Sequence, residues 1–261
     1  MAAELTVQIV NYATKAYLRP CLASVLAALE QTPVSSSVLV LDNASGDDLS
    51  DLAAEFAGRV EFHAAERNLG FGGGQNLLAA RGDSRLLCCL NPDVVLDHGD
   101  VFTTLLSAFD DRRVVVAGPL LRTVSGAPQR WDHGELHGLR ARVANGAGHA
   151  HWRPRTAPTD AAWVSGAFLL ARRDAFAAAG GFDEGYFLYK EEEDLCLRIR
   201  RAGGRVRYVP DAQATHVGSV VAGRDPEHLA ASTERYMARN FPSQRRRRLL
   251  ELLYTRVTRR I

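Results

Sequence analysis

Leu86-Leu-Cys-Cys-Leu-Asn-Pro-Asp93 reads as a buried strand that stops at a polar edge. Five consecutive apolar residues leave no face for solvent, the pattern of a central strand covered on both sides. The run breaks at Asn91-Pro92, and Asp93 stands just beyond the break. Two earlier runs end the same way. Leu5-Thr-Val-Gln-Ile-Val-Asn11 is short, β-branched and followed by Tyr12, and Val38-Leu-Val-Leu-Asp42 runs into Asn43-Ala-Ser-Gly46. Between them the spacing of Leu18, Leu22, Val25, Leu26 and Leu29 predicts a helix to about Glu30. Leu49, Leu52, Ala53 and Phe56 mark a second helix, and Val60 to His63 a short third strand. Strands alternating with helices predict an α/β domain with a mostly parallel sheet. Ligands bind outside the carboxyl ends of such strands, so Asn11, Asp42 and Asp93 predict one binding edge.

Further along, the spacing predicts a helix around Val101 to Phe109 and a strand at Val114 to Ala117. The stretch from about Leu121 to Asp160 breaks the rhythm with Pro128, Pro154, Pro158 and several glycines. Its histidines, His133, His137, His149 and His151, have no cysteine among them and no standard zinc spacing, so the stretch reads as a mobile loop beside the site. Trp163 to Leu170 returns to strand and Arg173 to Ala179 to helix; Val206–Val209 and Ala212–Val217 read as short extended segments. Helices are predicted over 226–240 and 244–260. From Ala222 onward ten arginines face four acids, formally +6. A basic amphipathic helix of this kind suits an anionic membrane surface, and equally a partner subunit.

Glu191-Glu-Glu-Asp194 opens an apolar-periodic run, Leu195, Cys196 and Ile199, that carries Arg198, Arg200 and Arg201. Acids at its start and cations at its end suit a helix dipole. The approach, Phe182, Tyr186, Phe187, Leu188 and Tyr189, brings apolar surface up to the carboxylates. Such a wall raises a carboxylate pKa and fits it for base catalysis near neutral pH.

The whole chain sets limits. Its 261 residues, 46% hydrophobic and 24% charged, suit a globular α/β protein, and a net charge of +2 gives no reason to expect nucleic acid. No apolar run is long enough to span a bilayer, and the first residues lack a signal peptide's pattern, so a cytoplasmic location is expected. Cys21, Cys88, Cys89 and Cys196 lie in apolar patterns, as reduced core residues do. The glycines at 70, 72, 73 and 74 suggest a phosphate cradle, but Gln75 stands where a dinucleotide fingerprint needs glycine, and no Lys-Ser/Thr of a P-loop follows. Asp93 alone could help hold a hard divalent cation whose other ligands are phosphate and water.

Taken in order, these motifs resemble the inverting GT-A glycosyltransferases of family 2, in particular their bacterial rhamnosyltransferase-like branch. The resemblance runs from Val7 to about Ser219. It rests on Val7 to Tyr12, Val40-Leu-Asp-Asn-Ala-Ser45, Asn68 to Asn76, Leu90-Asn-Pro-Asp-Val94, Ser165 to Arg173, Gly180 to Glu184, the Glu191–Arg198 run and His216-Val-Gly-Ser219. It implies a GT-A domain over 1–221, with a nucleotide-sugar half to 118 and an acceptor and catalytic half from 119, and a basic helical extension over 222–261. It also implies a dTDP- or UDP-sugar donor, rhamnose or a related sugar in the first place. The acceptor would be a hydroxyl of a glycan, a lipid-linked sugar or a small molecule. By resemblance Asp42 would contact the base, and Asn11, Tyr12, Asn43, Arg67, Asn68, Gly70, Gly74 and Asn91 would line the nucleotide-sugar site. Asp93 and His216 would hold Mg²⁺ or Mn²⁺, and Trp163, Ser165 and Gly166 would face the acceptor. Two positions depart from the family pattern. Asn91 replaces the first acid of its Asp-x-Asp, and Glu192 stands where its catalytic Asp is found.

The catalytic candidates are therefore Glu191, Glu192 and Asp194. Residues two apart on a helix point about 200° away from each other, so Glu192 and Asp194 cannot share a face. With a helix starting near Asp194, Glu192 lies in the aromatic-flanked loop as base while Asp194 caps the helix as organiser. A glycoside hydrolase would also want paired carboxylates but has no use for a nucleotide edge. A nucleotidyltransferase would show a basic glycine loop near the start of the chain. A catalytically silent nucleotide-sugar-binding subunit is the other alternative.

Overall fold

The computed structural model describes residues 3–146, 151–218 and 226–242. Its frame is one sheet. Strands β1 (Leu5–Asn11), β2 (Ser36–Asp42), β3 (Glu61–Ala64) and β4 (Leu86–Leu90) run parallel in the order β3-β2-β1-β4. They are joined by α1 (Lys15–Glu30), α2 (Ser50–Glu55) and α3 (Gly70–Ala79). Beyond the short β5 (Val94–Val95) and α4 (Val101–Ser107) comes β6 (Val114–Arg122). The chain then passes through β7 (His133–Gly134), α5 (Gly138–Gly146), β8 (Thr159–Ala161) and β9 (Trp163–Val164). Strand β10 (Phe168–Arg172) enters the sheet antiparallel between β4 and β6. Helices α6 (Arg173–Ala178) and α7 (Glu191–Arg201) precede β11 (Arg205–His216), which runs parallel to β6, and α8 (Pro226–Asn240) follows. The fold is α/β with a mostly parallel sheet flanked by helices.

The continuous apolar runs are buried because both faces of the sheet are covered. On one face Leu18, Leu22 and Val25 of α1 and Phe102 and Leu105 of α4 pack on Val7, Ile9, Cys88 and Leu90. On the other, Leu195, Cys196 and Ile199 of α7 join Leu87, Leu169, Trp163 and Phe182. All four cysteines are buried and free, and burial pushes the Cys196 thiol up to about 12.

Four differences from the sequence reading have local causes. The glycine turn is already helix from Gly70. A glycine inside a helix is unfavourable by up to about 1 kcal/mol, but here it permits close approach. A side chain at Gly74 would press on Val10 and Leu41, and one at Gly72 on Phe182. Trp163 to Leu170 is two strands, because the Ser165–Ala167 turn redirects the chain between β9 and β10. The two extended segments near 210 form one strand, β11, whose register slips between Val209 and Gln213, where Pro210 interrupts the ladder. The stretch read as a mobile loop contains β7, α5 and β8, with Asp132 and His133 buried; His149 lies outside the described residues.

Helix α8 packs on α7: Tyr236 and Met237 join Tyr186 and Leu197 in a small apolar cluster. Among the described residues no helix is long and apolar enough to cross a membrane. The basic segment at 244–260 lies outside the described residues.

Candidate active site

Three strand ends and one helix start converge on the carboxyl edge of the sheet. At the ends of β1 and β2 the polar side chains are bonded to one another. Asn11 is fully buried; its Nδ2 donates to Asp42 Oδ1 at 3.2 Å and Asp47 Oδ2 at 3.0 Å, and its Oδ1 accepts the Thr14 hydroxyl at 2.7 Å. Asn43 donates to Asn68 Oδ1 at 2.9 Å and to the Gly70 carbonyl at 3.1 Å, and accepts the Leu69 amide at 2.9 Å. Asp42 is half-buried, whereas Tyr12 and Arg67 are exposed. Ala13 and Ala44, just past the two strand ends, hold positive φ values of 52° and 56°. Such strain in a non-glycine residue persists only where neighbours enforce it.

The first amides of the glycine segment are already bonded within the protein. The Leu69, Gly70 and Phe71 amides, which would face an anion, donate instead to Asn43, Asn68 and the Phe187 carbonyl. Gly70 takes φ +72°, and a Cβ there would collide with that carbonyl. Gly70 makes the turn, and Gly74 sits one turn into α3, facing Val10 and Leu41.

At the end of β4 the site changes character. His216, on the last residue of β11, brings Nε2 to 3.2 Å from Asp93 Oδ1, with both side chains buried. Asp93 Oδ2 accepts the Gly218 amide at 3.1 Å. Asn91 Nδ2 approaches His216 Nε2 at 3.5 Å. On the far side of the ring, Nδ1 lies 2.9 Å from Gln129 Oε1. That oxygen can only accept, so Nδ1 carries a hydrogen. Carboxylate oxygen and ring nitrogen, 3.2 Å apart, are close enough to share a proton or a cation. The separation is close to the roughly 3 Å between neighbouring ligands around a small octahedral ion. Carboxylate, imidazole and amide fit Mg²⁺ or Mn²⁺, with the remaining positions left to phosphate and water. No group of three or more acidic, His or Cys side chains able to hold a metal occurs among the described residues.

The Ser165–Ala167 turn links this pair to the acidic helix. The Asn91 amide donates to the Ala167 carbonyl at 2.8 Å. A Cβ added to Gly166 would lie 3.1 Å from the Phe71 ring and 3.6 Å from Glu192 Cβ. Ser165 Oγ accepts the Ala167 amide at 3.2 Å, and Trp163 is buried with its indole nitrogen unpartnered. Small residues here allow the first turn of α7 to close in on the strand end.

Helix α7 starts at Glu191, earlier than the reading that placed Glu192 in a loop and Asp194 at the cap. The break is made by Tyr189 and Lys190, both left-handed with φ near 70°. Asp194 is the fourth helical residue and does not cap; it is fully buried and bonded on every side. It accepts Arg198 Nε at 2.7 Å, Asn240 Nδ2 at 2.7 Å and the Tyr186 hydroxyl at 3.4 Å. The two glutamates before it differ. Glu191 Oε2 and Glu192 Oε2 are buried without a hydrogen-bond partner. Burial, then the neighbouring Glu193 carboxylate, raises Glu192 to about 7, and burial with Glu192 beside it raises Glu191 well above the carboxylate range. The apolar wall is Phe71 and Phe182, in edge contact at 5.8 Å, with Tyr186 behind and Phe187 half outside.

Sequence reasoning missed Asp132, whose buried carboxylate gathers Tyr208 at 2.8 Å, Trp152 at 2.7 Å and His133 at 2.7 Å. Its backbone carbonyl accepts the Ser165 amide at 2.8 Å, so it anchors the turn beside Glu192. A lone Asp between Trp131 and His133 carried no signal of this, because two of its three partners lie 20 and 76 residues away. Gln129 was missed for the same reason.

Residues 6–178 match the Glycosyl transferase family 2 domain. The chain is 34% identical over 254 residues to N-acetylglucosaminyl-diphospho-decaprenol L-rhamnosyltransferase of Mycobacterium tuberculosis, covering 88% of this chain and 82% of that protein. It is 28% identical to rhamnosyltransferase WbbL of Escherichia coli, over 77% of this chain and 82% of WbbL. Among solved structures it is similar to GalNAc-T7 with UDP, GalNAc and Mn²⁺, at TM-score 0.64 and 16% identity over 82% of this chain and 44% of that one. It is also similar to the mannosyltransferase PcManGT from Pyrobaculum calidifontis in complex with GDP-Man and Mn²⁺, at TM-score 0.62 and 14% identity over 94% and 65% of the two chains. These last two likenesses concern the GT-A fold.

Proposed function

This chain belongs to glycosyl transferase family 2, and from that premise we propose that it moves L-rhamnose or a related sugar from a dTDP- or UDP-sugar to an acceptor hydroxyl with inversion. The observation that carries the mechanism is the Ser165–Ala167 turn, whose Ala167 carbonyl bonds the Asn91 backbone amide near the Asp93–His216 pair and whose Gly166 packs toward Glu192, with its unpartnered Oε2; on this reading the turn divides a cation side from a base side. A displacement at an anomeric carbon needs this division. Negative charge builds on the departing diphosphate on one side, and a proton leaves the attacking hydroxyl on the other.

On this reading Glu192 accepts that proton. Its raised pKa, about 7, keeps it close to the pH at which it works, and its free Oε2 has no competing donor. Glu191, buried and raised well above the carboxylate range, stands beside it, and Asp194 holds the helix in place. Asp93 and His216, with Asn91 beside them, would hold Mg²⁺ or Mn²⁺. Such an ion, when bound, offsets charge on the diphosphate. Asp42, with Tyr12 and Arg67, forms the face offered to the nucleoside, while Asn11, Asn43 and Asn68 hold that face from behind. The segment to 118 takes the donor, and the segment from 119 to 221, with Trp163, Ser165 and Gly166, takes the acceptor. The Mycobacterium tuberculosis relative is named for a decaprenyl-diphosphate-linked N-acetylglucosamine acceptor, which makes a polyprenyl-linked sugar the first acceptor to test. That acceptor would place the enzyme in the cytoplasm at the inner face of the membrane.

The experiment is a donor panel of dTDP-L-rhamnose, UDP-sugars and GDP-mannose with a polyprenyl-diphosphate-GlcNAc acceptor and Mn²⁺. The expected outcome is dTDP release from dTDP-rhamnose and a product of inverted anomeric configuration by NMR. Release of GDP alone would overturn the donor assignment, and a retained configuration would overturn the mechanism.

A further inference from the structure

Gln129 belongs to the segment between β6 and β7, remote in sequence from the ends of β1, β2, β4 and β11. Its backbone amide donates to the Leu121 carbonyl at 2.8 Å, which pins the segment along β6. From there its side-chain oxygen reaches Nδ1 of His216 at 2.9 Å. Asn91 Nδ2 stands 3.5 Å from the other ring nitrogen, Nε2. The acceptor 2.9 Å from Nδ1 puts a ring hydrogen there, which leaves Nε2 as the nitrogen able to ligate a cation beside Asp93. The imidazole is thereby fixed in rotation, with Nδ1 as the nitrogen held by the protein.

We propose that Gln129 is a positioning residue for the divalent cation, holding His216 in the tautomer and orientation that present Nε2, beside Asp93, as a ligand. The proposal rests on the reading of Asp93 and His216 as the cation's protein ligands. Its physical basis is that a ligating imidazole needs its second nitrogen held by an acceptor, and that losing this acceptor typically weakens metal affinity 10- to 100-fold. The site makes the requirement acute. It supplies one carboxylate and one imidazole, because Asn91 stands where a second acid would be, so a misdirected His216 removes one of two strong protein ligands. A neutral amide in this position orients the ring without adding negative charge to the site. A carboxylate there would hold the ring equally well and bind the cation more tightly.

The test measures Mn²⁺ binding by calorimetry in the presence of dTDP, with no turnover required, on the full chain and on Gln129→Leu, Gln129→Glu, His216→Ala and the Gln129→Leu/His216→Ala double variant. The expected results are a 10- to 100-fold weaker Mn²⁺ affinity for Gln129→Leu and an affinity for Gln129→Glu equal to or tighter than that of the unmodified chain. His216→Ala should be weakened, and the double variant no weaker than His216→Ala alone. Nitrogen-15 spectra of His216 without metal should show the hydrogen on Nδ1 in the unmodified chain and exchange between the two ring nitrogens in Gln129→Leu. If His216→Ala weakens Mn²⁺ binding and Gln129→Leu does not, the role given to Gln129 is wrong while the cation site stands. If His216→Ala leaves Mn²⁺ binding unchanged, the cation site itself is wrong and the proposal goes with it. Additive losses in the double variant would show that Gln129 acts other than through His216. Should Gln129→Leu fold poorly, Gln129→Glu and the ring spectrum still decide.

Discussion

The edge formed by β1 and β2 and the first turn of α7 are both crowded with polar side chains, yet they use them in opposite ways. At the strand ends Asn11, Asp42, Asn43 and Asn68 bond one another, so their hydrogen-bonding capacity is largely spent inside the protein. At the helix start the Glu191 and Glu192 carboxylates keep buried oxygens with no partner at all. Burying a polar group unpaired costs about 1–3 kcal/mol, more if it is charged. A fold tolerates that where the group serves something the fold itself does not supply. Saturated polarity shapes a surface, and unsatisfied polarity waits for a substrate.

The sharpest way to break this contrast is Glu192→Gln. Loss of a general base typically lowers a rate 10²- to 10⁴-fold, so turnover should fall by about 10³ while calorimetry shows dTDP binding unchanged. A variant that keeps near-normal turnover would return Glu192 to a structural role. The same residue predicts pH behaviour. Because the carboxylate form is the active base, kcat/KM should fall as pH drops below about 7, and the limb should move when Glu192 is replaced by Asp. For stability the sign is reversed. The folded protein holds this proton more tightly than the unfolded chain does. Its stabilising contribution is therefore complete below about 4.5 and is lost as pH rises through about 7. Glu192→Gln should therefore raise Tm at pH 8 and change it little at pH 4.

Asp194→Asn tests the opposite kind of carboxylate. Arg198, Arg239, Tyr186 and Asn240 all converge on it, and removing one partner of a buried ion pair costs about 3 kcal/mol. Chemical denaturation should register that loss, and activity should follow the folded fraction. Unchanged stability would mean that Asp194 is not the anchor described here. On the donor edge, Asn43→Ala strands the Leu69 amide, and should cost about 2 kcal/mol with a smaller effect on turnover than Glu192→Gln. The smallest effect is expected for Gly74→Ala. Its Cβ would sit 2.9 Å from a Val10 methyl, and overpacking of about 1–3 kcal/mol outweighs the up to about 1 kcal/mol that alanine gains inside a helix, read as a modest fall in Tm.

The parallel half of the sheet was legible because β1, β2 and β4 each carry a short, mainly apolar and β-branched or leucine-rich run that gives way to polar residues, a local signal. The antiparallel entry of β10 was not, since its direction depends on the route the chain takes from β6 through the Ser165–Ala167 turn. The start of α7 was misplaced because Glu191 to Glu193 suit a loop and a first turn equally, and the left-handed break falls on Tyr189 and Lys190, with neither glycine nor proline to mark it. Asp132 and Gln129 act through partners distant in sequence, His216 among them, which no window of neighbouring residues contains. Asp93 and His216 met only through their resemblance to a family pattern; nothing in the spacing of two residues so far apart would have paired them.

Helix α8 grips α7 through charges that begin elsewhere. Arg235 and Arg239 reach Asp183, Arg239 also lies 3.7 Å from Asp194, Ser232 bonds the Leu188 carbonyl, and Asn240 bonds Asp194. This clasp makes α8 a mechanical brace for the acidic motif: a pull or a cut that separated the two helices would release Asp183 and Asp194 from the α8 arginines in one event.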